Sequence, residues 1–116
     1  PADARAHHTH GVRAWSIPVE DIVTRAGLAA FAKALDHKLG PALLRCKGVV
    51  RTARGMMLIQ GVGARFTFSP AGPLPETFRP HVTCIVENRE RAEVERLLPW
   101  LHVPEGTLPP TREEIA

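Results

Sequence analysis

The chain has no tyrosine, few other aromatics and only two cysteines. It also lacks any apolar run near the roughly 20 residues that a membrane-spanning helix needs. Phe and Trp make up the whole aromatic share of 5%, too little for the stacked platform on which RNA-binding sheets hold bases. Cys46 and Cys84 each sit inside an apolar run, so they read as small buried hydrophobes rather than as a disulfide or a ligand pair, and secretion is not indicated. Pro1-Ala2-Asp3 is no signal peptide, and with no membrane span a soluble cytoplasmic domain is expected. The chain opens on Pro1 without an initiator methionine, which suits a piece of a longer protein or a trimmed start. There is no Gly-rich loop ending in Gly-Lys-Ser/Thr to cradle phosphates, no Cys-x-x-Cys or His-Glu-x-x-His, and no internal repeat. Charge does not form a block either: fifteen basic residues stand against twelve acidic ones, a net +3 spread along the chain that permits nucleic-acid contact without arguing for it.

What is present fits one core. At 116 residues the chain makes a single domain that buries roughly 60–70% of the surface its unfolded form would expose. From Gly11 to Val19, Val12, Ala14 and Ser16 alternate with Arg13, Trp15 and Ile17, the period of a strand, and Pro18 ends it. From Thr24 to Leu39 the period changes. Leu28, Phe31, Ala32, Leu35 and Leu39 recur at helical steps, Thr24 caps, Lys33 and Lys38 face water, and Gly40-Pro41 is the stop. Ala42–Val50, Met56–Val62, Arg65–Ser69 and His81–Val86 read as four further strands, with a tight turn at Ala53-Arg54-Gly55 and a proline-rich loop at Pro70–Pro75. Asn88 is expected to cap a second helix whose stripe is Val94, Leu97 and Leu98 and which Pro99 closes. The fold class is therefore α+β: a small split β-α-β-like plan, a mixed or antiparallel sheet of four to five strands with two helices on one face. Residues 99–116 are a proline-rich tail, expected to be poorly ordered unless Trp100 and Leu101 tie it down.

The succession Gly11-Val12-Arg13-Ala14-Trp15-Ser16, the amphipathic helix, Leu43-Leu44-Arg45-Cys46-Lys47-Gly48-Val49-Val50, Gln60-Gly61-Val62 and Val82-Thr83-Cys84-Ile85-Val86 resembles the C-terminal domain of the CobW family. These are P-loop GTPases linked to cobalamin synthesis and metal insertion. The resemblance runs from His8 to about Leu98, so residues 1–98 are taken as the domain. It implies an accessory or regulatory role beside an N-terminal GTPase domain that alone binds GTP, with a metalloprotein or chelatase as client. The phosphate loop, the Walker-type Asp and the family's Cys-x-Cys-Cys metal motif all belong to that preceding domain and are absent here.

The family domain commonly follows a histidine-rich linker, whose end His7-His8-Thr9-His10 would occupy. His8 and His10 project to one side of an extended segment and could share Zn²⁺ or Co²⁺ weakly. A third ligand would have to come from His37, His81, His102 or the missing domain; no tightly bound cofactor is expected.

Lys47, inside an apolar strand, must face water or an acidic partner, since burial unpaired is costly. If Arg45 and Lys47 alternate with Leu44 and Cys46 at the two-residue period, Leu44 and Cys46 face the core and both cations lie on the opposite sheet face, with Arg51 continuing that row. Three readings stand: a solvated face; a docking face for the GTPase domain or a client, with Met57 or Phe68 adding apolar contact; or an RNA-binding face. An enzyme reading has the least support. Asp36 and Glu87 have no sequence neighbours that would shift a pKa, and Ser16 and Ser69 lack a marked His–Asp partner.

Overall fold

The computed structural model describes residues 11–116. Five strands, β1 (Val12–Pro18), β2 (Leu43–Thr52), β3 (Gly55–Val62), β4 (Arg65–Pro70) and β5 (His81–Glu87), form one sheet in the order β1-β5-β2-β3-β4. Every pairing between them is antiparallel. The central strand β2 carries the alternation that sets the whole sheet. Cys46 and Val50 are buried on the helix side, while Arg45, Lys47 and Arg51 are exposed on the other. Cross-strand register passes this choice outward, so Ile59, Val82, Cys84, Val86 and Ile17 complete the buried face.

The long helix α1 (Arg25–Leu39) packs on that face. Its start is fixed by Thr24, whose hydroxyl accepts from the Gly27 N–H at 2.8 Å, and its end by Gly40, whose φ of 50° suits a residue without Cβ. Leu28, Phe31, Leu35 and Leu39 are buried as the period predicts. Ala30 and Ala34 join them and Ala32 is only half-buried, because the stripe leans toward the side where Leu101 crosses the helix start.

Three local expectations are corrected. Leu44 does not alternate into the core: a bulge between Leu43 and Arg45 leaves Leu43 buried and Leu44 exposed, which resets the parity that puts Cys46 inward. Asn88 does not cap the second helix. It takes a left-handed turn conformation at φ 53°, and helix α2 (Arg91–Glu95) starts at Glu90, where Glu90 and Glu93 form a reciprocal capping box. Nor does Pro99 close that helix; it sits in the first turn of a 3₁₀ segment, Leu98–His102.

The stretch 99–116 packs on the domain through Leu101, which is fully buried. The Leu101 carbonyl accepts from the Thr24 N–H, the Thr24 hydroxyl donates to the Val103 carbonyl, and Glu105 accepts from the Arg25 and Ala26 N–H groups at the helix start. A short helix α3 (Arg112–Ile115), capped by Thr111, then buries Ile115 against the core. Among the described residues, no helix is long and apolar enough to cross a membrane.

Candidate functional site

The two main helices pack on one side, and among the described residues the opposite face of the sheet carries no helix. Arg45, Lys47, Val49 and Arg51 run along its middle on β2. The register sets Lys47 between Thr83 on β5 and Gln60 on β3, Arg45 between Ile85 and Val62, and Val49 between His81 and Leu58. A row of cations is thus flanked by hydroxyl, amide and aliphatic side chains. The Ser16 and Thr83 hydroxyls share a hydrogen bond of 2.7 Å beside this row. At the end of the strands where β5 begins, the proline-rich loop brings Phe78 over His81, their ring centroids 5.6 Å apart. Together with Arg45, Lys47 and Thr83 these rings line a shallow concavity of about 580 Å³. The His81 ring is held by a 2.8 Å hydrogen bond between Nδ1 and the Arg79 carbonyl.

Among the described residues the ion pairs are Arg89–Glu93 and Arg91–Glu95, both within the α2 region. Among the described residues the exposed cations of β2 therefore have no carboxylate in ion-pair contact, which leaves them available to a partner.

Met57 and Phe68 do not share this face. Met57 has the parity of buried Ile59, and Phe68 stands opposite Ile59, so both point to the helix side. Phe66 does too, its ring lying where a Cβ on Gly61 would come within 2.7 Å. The reason is plain in the sequence: Met56-Met57-Leu58-Ile59 is apolar at every position, so nothing local says which alternate residues face in. The register with Cys46 and Gly48 does say it. Met57 and Phe68 instead line a groove of about 700 Å³ between α1 and the β3–β4 edge, with Leu28, Arg25, Arg54 and Glu105 around it.

The metal candidates His8 and His10, and His7 beside them, lie outside the described residues. The possible third ligands are spread over three elements: His37 in the last turn of α1, His81 on β5, and His102 at the end of the 3₁₀ segment, where its Nδ1 meets the Ile22 carbonyl at 3.1 Å. No group of three or more His, Cys, Asp or Glu side chains that could hold a metal forms among the described residues. Cys46 and Cys84 are free, buried and directly opposite each other across β2 and β5, with their sulfurs 3.9 Å apart. The contact with the Cys84 thiol and then burial push the Cys46 thiol far above its usual range, so it stays protonated and unreactive.

Residues 12–100 match the family described as the cobalamin synthesis protein cobW C-terminal domain. The chain belongs to this family. The segment matched by the cobW C-terminal domain runs from the first residue of β1 into the 3₁₀ segment Leu98–His102. Its fold is similar to part of the Zn(II)-bound YjiA GTPase from E. coli, with a TM-score of 0.67 at 17% identity over 84% of this chain and 32% of that one. It is likewise similar to a Zn(II)-bound triple mutant of YjiA GTPase, with a TM-score of 0.65 at 18% identity over 80% of this chain and 30% of the other. This cobW C-terminal domain therefore spans about a third of the length of those GTPase chains. No curated protein matches the sequence.

Proposed function

We propose that this chain is the accessory or regulatory domain of a metal-linked GTPase, and that the open face of its sheet docks the GTPase domain or a metalloprotein or chelatase client. The observation that carries this reading is the row Arg45 and Lys47, exposed on the central strand of a helix-free face and unmatched by the ion pairs of the described residues. Family membership supports it, since the matched family is described as the C-terminal domain of the cobalamin synthesis protein cobW. GTP binding and hydrolysis, and any cobalt or zinc insertion, are assigned to the GTPase domain. His8 and His10 would add a weak, transferable Zn²⁺ or Co²⁺ capture point between the two domains. The described aromatics give RNA little to stack on at this face, because Phe66 and Phe68 turn to the helix side.

The test is calorimetric titration of the GTPase domain, supplied in trans, into the wild-type chain and into the double variant Arg45→Glu/Lys47→Glu. The variant should keep its thermal midpoint, because both side chains are exposed, and lose about 1–3 kcal/mol of association if the pairs are desolvated on docking. Equal affinity for both proteins would return Arg45 and Lys47 to a solvated surface.

A further inference from the structure

The fold gathers onto one sheet face cations that are scattered along the sequence. The strand residues of the open face carry Arg45, Lys47, Arg51 and Arg65 against the single carboxylate of Glu87. Elsewhere among the described residues ten cations stand against ten carboxylates. The surplus of +3 among the described residues is therefore accounted for by one face of the sheet. Between and beside the cations are aliphatic side chains, with Val49, Leu58 and Ile85 half-buried and Val62 exposed.

From this asymmetry, and resting on the docking reading above, we infer that the open face takes an acidic, amphipathic protein segment that sets carboxylates on the Arg45–Lys47 row and apolar side chains on Val49, Ile85 and Leu58. A second copy of this chain does not satisfy the face. Two such surfaces brought together by a two-fold axis would set cations against cations, which is repulsive when water is removed. A nucleic acid would satisfy the charge but not the aliphatic rows, and the aromatic contribution there comes from Phe78 with His81 at one end. A carboxylate-bearing segment with apolar residues satisfies both. Arg45 can take a carboxylate through two parallel N–H groups and Lys47 through its ammonium, while Thr83 and Gln60 on either side of Lys47 supply neutral donors.

The experiment measures fluorescence anisotropy of three labelled probes with the whole chain: an amphipathic Glu/Leu peptide, its Lys/Leu counterpart and a single-stranded oligouridine. Each is read at about 50 and about 300 mM salt. The acidic peptide should bind best, lose affinity at the higher salt, and lose about tenfold in Arg45→Glu/Lys47→Glu. Arg96→Glu, exposed beside α2, should leave it unchanged. The neutral pair Arg45→Gln/Lys47→Gln should fall between, which guards against a misfolded double reversal. Oligouridine binding tighter than the acidic peptide, equal binding of the two peptides, or an unaltered affinity in both double variants would overturn the inference. Titrating the GTPase domain under the same two salts separates this inference from the reading beneath it. Binding that ignores both salt and the reversals keeps a docking role on another surface and overturns the acidic segment. A selective acidic-peptide response with no binding of the GTPase domain keeps the acidic segment and overturns the choice of partner.

Discussion

Gly27 lies directly under Leu101: a Cβ built on Gly27 would stand 1.8 Å from the Leu101 carbonyl oxygen. That oxygen also accepts the N–H of Thr24, so the C-terminal stretch crosses the start of α1 at backbone contact and is hydrogen-bonded there. Gly27→Ala should therefore destabilise the protein by about 1–3 kcal/mol, against the roughly 1 kcal/mol that Ala gains over Gly in an unobstructed helix. Urea denaturation of the two proteins measures the sign. A more stable Ala variant would mean that the tail does not press on the helix.

Phe31 and Lys33 sit two residues apart on opposite sides of α1. Phe31 is fully buried under the sheet and Lys33 is exposed. Phe31→Ala should cost about 3–5 kcal/mol in chemical denaturation, and Lys33→Ala no more than about 0.5 kcal/mol.

Glu105 gives the tail contact a pH signature. Hydrogen bonds from the Arg25 and Ala26 N–H groups hold its carboxyl below the usual value, with Arg25 and Arg54 adding to the effect. A depressed folded-state pKa contributes stability that is present above the unfolded value and lost as pH falls through the folded one. Glu105→Gln should thus lower the denaturation midpoint slightly at pH near 7, and the gap from wild type should close under acid conditions. Glu114, held low by the Thr111 N–H and hydroxyl, titrates in the same direction and remains in both proteins as an internal reference.

Most of the architecture is legible in the sequence because its signals are local. The Thr24 cap, the Gly40 stop and the alternation of Cys46, Lys47 and Val50 with their neighbours each depend on a few adjacent residues. The cation face follows from the same alternation. Where the pattern is apolar on both sides, as at Met56–Ile59, the facing is decided by pairing with β2, and Met57 and Phe68 were not separable from the cation face without it. The second helix start was hidden for a different reason: Asn88 is the better cap by residue type, but it takes a left-handed turn conformation, and the Glu90–Glu93 capping box fixes the start two residues later. That one face accounts for the positive surplus of the described residues is invisible in a linear reading, since its cations are distributed over β2 and β4.

For the metal reading, neutral imidazoles are required, so Zn²⁺ or Co²⁺ uptake at His8 and His10 should be weak and fall as pH drops through about 6.5. Titration of His8→Ala/His10→Ala beside wild type checks it. Unchanged affinity would remove these residues from any metal role, and tight four-ligand binding would replace transfer with a structural site.

The docking face itself is tested most directly by recording amide chemical shifts of the labelled chain as the unlabelled GTPase domain is added. The account predicts perturbations concentrated at Arg45, Lys47, Thr83 and Ile85, along β2 and β5. Shifts confined to Leu28, Met57 and Phe68 around the groove on the helix side, or none at saturating partner, would contradict it.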